Sequence, residues 1–152
     1  IDLREFNLPI YDGDIETVGI PESAQRLHAI FKRHNALLIC TPEYNGGVAP
    51  LTKNALDWVS RPMNGDPNLA AIMGKAVSIL SAAVGLVGGS RQQQQLRVSF
   101  QVMRCISVPE TVNIPLAHTA FNEDGSLKDK ATHDMVVLAV KSLKSVADRL
   151  NP

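Results

Sequence analysis

Hydrophobic residues along the chain follow two alternating patterns, short apolar runs and longer stretches with helical spacing. Residues 36–40 and 76–82 are predicted to be buried strands, because a parallel sheet covered by helices on both faces has few polar positions. Shorter strands are predicted at 1–4 and 111–114. Alternation of strands with helices predicts an α/β fold with a mostly parallel sheet.

The predicted helices have apolar residues three and four positions apart. They are residues 23–34, a helix that begins at Pro50, residues 91–106 and residues 129–150. The last helix is expected to bury Met135, Leu138, Leu143, Val146 and Leu150. The glutamine run Gln92–Gln95 is expected to be an exposed helix start, and segments 43–47 and 61–74 are expected to be a loop and a surface excursion.

Composition narrows the class of protein. The 152 residues predict a single domain over 1–152. A net charge of zero and a pI near 7.1 give no basic surface for nucleic acid or an anionic membrane, so neither partner is expected. Cys40 and Cys105 are expected to be small buried side chains in a reducing cytoplasm. With four scattered histidines and no cysteine pair at ligand spacing, we expect no metal site.

Two loops follow predicted buried strands and precede predicted helices, which in an open α/β sheet is the edge where ligands bind. The first, residues 41–47, combines proline, a carboxylate, tyrosine and an amide with glycines that allow close backbone approach. By itself, such a loop is also typical of a plain turn. The second, residues 81–91, has glycines spaced G-x-x-G-G, which is neither a dinucleotide fingerprint nor a P-loop.

Together the two segments TPEYNGGVAPLTKNALDW and SAAVGLVGGSRQQQQLR resemble the NADPH-dependent FMN reductase family. The resemblance implies a flavodoxin-like doubly wound sheet of order 2-1-3-4-5 with helices on both faces. It also implies that Lys53, Asn54, Asp57 and Trp58 are structural parts of the same signature. The residues expected to bind the flavin in the first loop are Pro42, Glu43, Tyr44, Asn45 and Gly46. Those expected to lie beside the flavin or at the subunit interface are Ser81, Gly88, Gly89 and Arg91.

The activity implied by the resemblance is hydride transfer from NADPH or NADH to FMN, and then to quinone, azo, chromate or free flavin acceptors. Because the cofactor carries this chemistry, no catalytic side chain is assigned. The family also implies a homodimer or a tetramer, with Trp58, Arg61 and Arg91 as contributors to its contacts. The alternative is a non-enzymatic flavodoxin-like module, an electron carrier or a redox-sensing interaction domain, that holds FMN or no cofactor and does not oxidise NADPH.

Three departures from the family pattern stand out. Gly47 replaces a serine, and glutamines replace an aromatic residue in the helix after the second motif. Family members also begin with a strand and a phosphate-binding loop that this sequence does not contain. We therefore expect the sequence to be the later part of a longer chain, preceded by about 30 residues that form one βα unit.

Overall fold

A computed structural model describes residues 1–151, and Pro152, the last residue of the predicted domain, lies outside the described residues. The chain forms two compact units. The first comprises Ile1–Asn35 and Pro50–Met73, and the second comprises Ala36–Ala49 and the chain from Gly74 onward. The prediction of one domain over 1–152 stays a prediction.

The first unit is helical. It contains a short 3-10 turn at Leu3–Phe6, α1 at Gly13–Val18, α2 at Glu22–Lys32 and α3 at Pro50–Val59. The predicted strand at 1–4 is wrong. The Asp2 carboxylate accepts the Arg4 backbone N–H at 2.9 Å, and this local bond holds the chain in a turn.

Helix α2 packs against α3 to form the core of the first unit. Leu27 and Phe31 of α2 and Trp58 of α3 are buried, in agreement with the predicted helical faces. Segment 61–74 is only partly a surface excursion, since Ala71 and Ile72 within it are fully buried.

The second unit contains the sheet. In chain order its elements are β1 at Ala36–Thr41, β2 at Glu43–Tyr44, β3 at Gly47–Val48, β4 at Ala76–Ala82, α4 at Ser90–Val102, β5 at Ile106–Ser107, β6 at Val112–Ile114, α5 at Ala117–Ala120 and α6 at Lys130–Leu150. Strand β4 pairs in parallel with β1, β5 and β6. The parallel α/β prediction is confirmed, whereas the full strand order 2-1-3-4-5 stays a prediction.

Helices cover both faces of this sheet. Leu80 of β4 packs in a cluster with Ala139 of α6. Ser81, the next residue of β4, points to the opposite face and meets Gly89 at the start of α4. Residues on alternate sides of β4 therefore meet different helices, which explains why six of its seven residues are buried.

Several predicted boundaries and faces are wrong in the second unit. Helix α4 ends at Val102, because Arg104 adopts a left-handed φ of 60°, and Ile106 lies in the missed strand β5. Segment 43–47 contains a small hairpin instead of a loop. In α6 the small residues Ala139 and Ala147 are buried beside Leu143. Three residues expected to be buried are instead exposed: Met135, Leu138 and Leu150.

Candidate functional site

A row of polar side chains crosses the sheet where its strands end. Thr41 of β1 is paired with Ser81 of β4, and Ser81 is paired with Asn113 of β6. Ser81 Oγ and Asn113 Oδ1 are buried and have no hydrogen-bond partner among the described residues. Buried polar atoms are normally satisfied, so these two mark a place that suits a polar ligand. Of the three, only Ser81 was predicted as a site residue.

A pocket of about 680 Å³ opens at the same end of the sheet. It brings together two predicted residues, Pro42 and Ser81, with Phe121 and His133, which sequence reasoning did not select. No motif marked Phe121 or His133, because Phe121 lies in a segment without recognisable spacing and His133 lies on the last helix, where spacing marked only the apolar positions. The pocket lining is mainly apolar, as is typical of small-molecule sites.

Cys40 also lines this pocket and is exposed, so the expectation of a buried Cys40 is wrong. Desolvation by its surroundings raises the pKa of the Cys40 thiol above its usual value. Burial also raises the pKa of Cys105, to about 11. Both thiols therefore stay protonated near neutral pH, and neither is poised as a nucleophile.

The predicted loop 43–47 is built on a two-residue turn. Strands β2 and β3 pair Tyr44 with Gly47, and the connecting residues Asn45 and Gly46 have left-handed φ angles of 52° and 73°. Asn-Gly is the preferred pair for such a tight hairpin turn. Tyr44 projects beside the turn with 59% of its surface exposed. Of the nine predicted site residues, only Pro42 and Ser81 line the pocket; those that do not are Glu43, Tyr44, Asn45, Gly46, Gly88, Gly89 and Arg91.

Glu43 connects this hairpin to helix α4. Glu43 Oε2 accepts the backbone N–H groups of Arg91 and Gln92 at 3.1 and 3.2 Å, and Oε1 accepts a guanidinium N–H of Arg91 at 3.2 Å. The helix begins after Gly89, which has no side chain to cap it. The Glu43 carboxylate therefore caps α4, where a negative charge is favourable. Two predicted site residues, Glu43 and Arg91, are in direct contact.

Gly88 and Gly89 are fixed by close packing. A Cβ at Gly89 would lie 1.8 Å from Ser81 Oγ, and one at Gly88 would lie 2.8 Å from the backbone nitrogen of Pro115. Both glycines also have left-handed φ angles, which side chains rarely adopt. The predicted glycine loop is therefore seated directly on the ends of β4 and β6.

Residues 53–58, in the second half of the motif TPEYNGGVAPLTKNALDW, lie in the first unit. Asn54 Nδ2 and Trp58 Nε1 both donate to the carbonyl of Pro9, at 2.9 and 2.8 Å, and the Tyr11 N–H donates to Asn54 Oδ1 at 2.7 Å. Lys53 and Asp57 form an ion pair one helical turn apart. The structural role predicted for Asn54 and Trp58 is confirmed, whereas that of Lys53 and Asp57, whose ion pair is exposed, stays a prediction.

Trp58, Arg61 and Arg91 were expected to contribute to subunit contacts. Trp58 is fully buried within the chain, so the expectation is wrong for this residue. The Arg61 guanidinium lies 5.5 Å from the centre of the Tyr11 ring. Arg91 keeps 63% of its side chain exposed.

Within residues 1–151, no cluster of three or more His, Cys, Asp or Glu side chains could hold a metal ion. Over the same residues, no helix combines the length and the apolar character needed to cross a membrane.

Comparison with known proteins gives consistent matches. A family model described as NADPH-dependent FMN reductase matches residues 1–119. An NAD(P)H-dependent FMN reductase of Pseudomonas aeruginosa is 33% identical across 99% of this chain and 80% of that protein. A quinone reductase of Pseudomonas putida is 36% identical across 82% of this chain, but the match covers only 65% of that reductase.

Among solved structures, a flavoenzyme NAD(P)H:(acceptor) oxidoreductase from Paracoccus denitrificans superposes with a TM-score of 0.74 and 27% sequence identity, covering 97% of this chain and 78% of that one. This likeness confirms the predicted flavodoxin-like α/β fold.

Proposed function

Because the chain belongs to the NADPH-dependent FMN reductase family, we propose that it binds FMN and passes reducing equivalents from NADPH or NADH to a small acceptor. Quinone, azo, chromate and free flavin acceptors are the proposed substrates. The observation that carries this proposal is the polar row at the strand ends, where Ser81 Oγ and Asn113 Oδ1 lack partners and where Thr41 and Ser81 line the apolar pocket.

The residues at this edge fit a flavin. A volume of about 680 Å³ falls in the range of small-molecule sites, and an apolar lining with few polar groups suits a planar ring with a polar rim. Pro42 supplies a rigid wall, and Ser81 lines the pocket while its unpartnered Oγ lies on the side of Gly89. The positive φ angles at Gly88 and Gly89 hold their backbone close to the strand ends, without side chains that would keep a ring away.

When bound, FMN supplies the hydride and electron chemistry. The chain therefore has to bind the flavin, orient it and leave it accessible to substrates. We assign Pro42 and Ser81 to the lining of the site, and Gly88 and Gly89, which pack against the strand ends, to its edge. Tyr44, Asn45 and Gly46 are assigned to the exposed hairpin beside it. Glu43 and Arg91 are placed where they order the hairpin and the helix start, so their contribution to flavin binding is indirect.

A homodimer or a tetramer in the cytoplasm is the proposed setting. The exposed Arg91 remains available for a contact between subunits. Cys40 and Cys105 form no disulfide, in keeping with a reducing compartment.

Native mass spectrometry of the purified protein mixed with FMN tests binding and subunit number together. In the mass spectrum we expect FMN to be retained in a dimer or tetramer. When NADPH and a quinone are added to the protein, we expect NADPH to be oxidised. Retention of FMN without NADPH oxidation would favour the non-enzymatic electron-carrier or redox-sensing alternative. A protein that retains no FMN would contradict the reductase function and favour a non-enzymatic module that holds no cofactor.

A further inference from the structure

The small hairpin is fastened to helix α4 at two points on either side of Tyr44. We call the residues involved, Glu43, Gly46, Arg91 and Gln95, the hairpin–helix junction. On one side the Glu43 carboxylate caps α4 and contacts Arg91. On the other side Gln95 Nε2 donates to the Gly46 carbonyl at 2.9 Å.

The hairpin needs such anchors because it is very short. Strands β2 and β3 have two residues each, and an isolated two-stranded hairpin is at best marginally stable in water. Tyr44 is 59% exposed, so burial of its ring contributes little to holding it in place. The position of Tyr44 is therefore set by its neighbours Glu43 and Gly46, which are the two residues bound to α4.

We propose that Gln95 and Glu43 are positioning residues, which hold the hairpin so that Tyr44, outside the pocket lining, contacts the rim of the flavin bound in the pocket. This inference rests on the proposed FMN-binding function. Glu43 side-chain exposure of 8% makes its carboxylate the rigid anchor, and Gln95 supplies the second fixed point. Gln95 therefore has a specific role in this proposal, whereas the sequence predicted only an exposed helix start for the run Gln92–Gln95.

A matched pair of variants isolates the Gln95 contact. Gln95→Glu keeps the size of the side chain but removes the N–H donor to Gly46. Gln94→Glu makes the same chemical change at an exposed neighbouring position of α4. We expect Gln95→Glu to raise the Kd for FMN roughly fivefold or more, as is typical for loss of one hydrogen bond, and Gln94→Glu to leave it unchanged.

A double-mutant cycle distinguishes positioning from general support of the fold. If Gln95 acts through Tyr44, Gln95→Glu should have little further effect on the FMN Kd in a Tyr44→Ala background. Glu43→Gln, which removes the charge at the helix start, should weaken FMN binding more than Gln95→Glu and depend on Tyr44 in the same way. Thermal unfolding of each variant without FMN checks that it is folded.

Equal Kd values for Gln95→Glu and Gln94→Glu, with FMN bound tightly by the wild type, would overturn the positioning role alone. If the effects of Gln95→Glu and Glu43→Gln on the FMN Kd simply add to the effect of Tyr44→Ala, the positioning role is also overturned. If the wild type binds no FMN, the proposed function fails, and this inference fails with it.

Discussion

The two halves of the motif TPEYNGGVAPLTKNALDW lie in regions of the molecule that differ in burial and hydrogen bonding. In the first unit, Asn54 and Trp58 bond to the Pro9 carbonyl, and the Trp58 ring is fully buried at 5.1 Å from that of Tyr11. In the second unit, Tyr44 is exposed, and the nearby strand ends leave Ser81 Oγ and Asn113 Oδ1 without partners.

The difference separates residues that stabilise the fold from residues that remain available to a ligand. Asn54 and Trp58 complete their hydrogen bonds inside the chain, so a ligand could gain little from them. Ser81 and Asn113 retain hydrogen-bonding capacity at buried atoms, which is costly unless a ligand or solvent provides the missing partner. A shared motif therefore does not imply a shared role for all of its residues.

The largest effect is expected from Trp58→Ala. Removing this buried ring leaves a cavity and takes away one of the two donors to the Pro9 carbonyl, so the free energy of unfolding should fall by about 3–5 kcal/mol. Urea unfolding followed by circular dichroism measures the change. A loss below about 1 kcal/mol would show that the first-unit network is not the stabilising region we describe.

Gly89→Ala should have the next largest effect, and it falls in the ligand-facing region. The new methyl group would overlap Ser81 Oγ, and the φ of 91° is strained for alanine, so we expect a loss of about 2–4 kcal/mol together with weaker FMN binding. Gly85→Ala is the matched control, because nothing lies within 4 Å of a Cβ at Gly85. Equal stability of the two variants would contradict the close packing of the glycine loop.

Tyr44→Ala should separate binding from stability. Because Tyr44 is mostly exposed, we expect the free energy of unfolding to change by less than about 0.5 kcal/mol. The Kd for FMN should nevertheless rise roughly tenfold through the loss of aromatic contact. Flavin fluorescence titration measures the Kd, and Val98→Ala, at an exposed apolar position of α4, serves as control. A large loss of stability with an unchanged Kd would show that Tyr44 stabilises the fold and does not contribute to FMN binding.

The smallest effect concerns His28, a buried polar group in the first unit. Burial lowers the pKa of His28 below its usual 6.5, outweighing the attraction of Asp66, and its Nε2 has no partner among the described residues. The unfolded chain therefore binds a proton more readily than the folded chain does. Stability should fall as the pH drops from about 7.5 through 6.5 toward the folded-state pKa.

His28→Gln and His28→Leu both remove the titrating ring. Each should make the free energy of unfolding less dependent on pH between about 7.5 and 5.5 than it is in the wild type. Chemical unfolding at several pH values measures that slope. A slope that is unchanged in both variants would show that His28 does not contribute to the pH dependence.

Strongly patterned elements could be predicted from the sequence, whereas short ones could not. The apolar runs at 36–40 and 76–82 are strands, and the long helices lie close to their predicted positions. The predicted burial is confirmed for 76–82 but wrong for 36–40, where only Leu37 is buried and β1 lies at the end of the strand order. The strand predicted at 1–4 was wrong because the Asp2 side chain competes locally for the backbone. In α6, alternating large and small residues hid the buried face, since Ala139 and Ala147 carry too weak a hydrophobic signal.

For the site, motif resemblance located the right loops but could not assign the role of each residue. It could not show that the Glu43 carboxylate caps α4, because that contact joins residues 48 positions apart. Gln92 and Gln93 are polar residues that pattern alone places outside, yet both are fully buried, and Gln93 donates to the Val112 carbonyl. Phe121 and His133 reach the pocket without any motif to mark them.

By itself the sequence determined the α/β class and the two loops, because hydrophobic periodicity and glycine–proline chemistry act over a few neighbouring residues. It indicated the family only through the resemblance of its two motifs. Only the tertiary structure decided which polar atoms remain without a partner, which glycines touch a strand and which glutamines anchor the hairpin. These properties depend on contacts between segments distant in the chain, such as Ser81 against Gly89 and Gln95 against Gly46. Spacing along a single segment carries no information about such contacts.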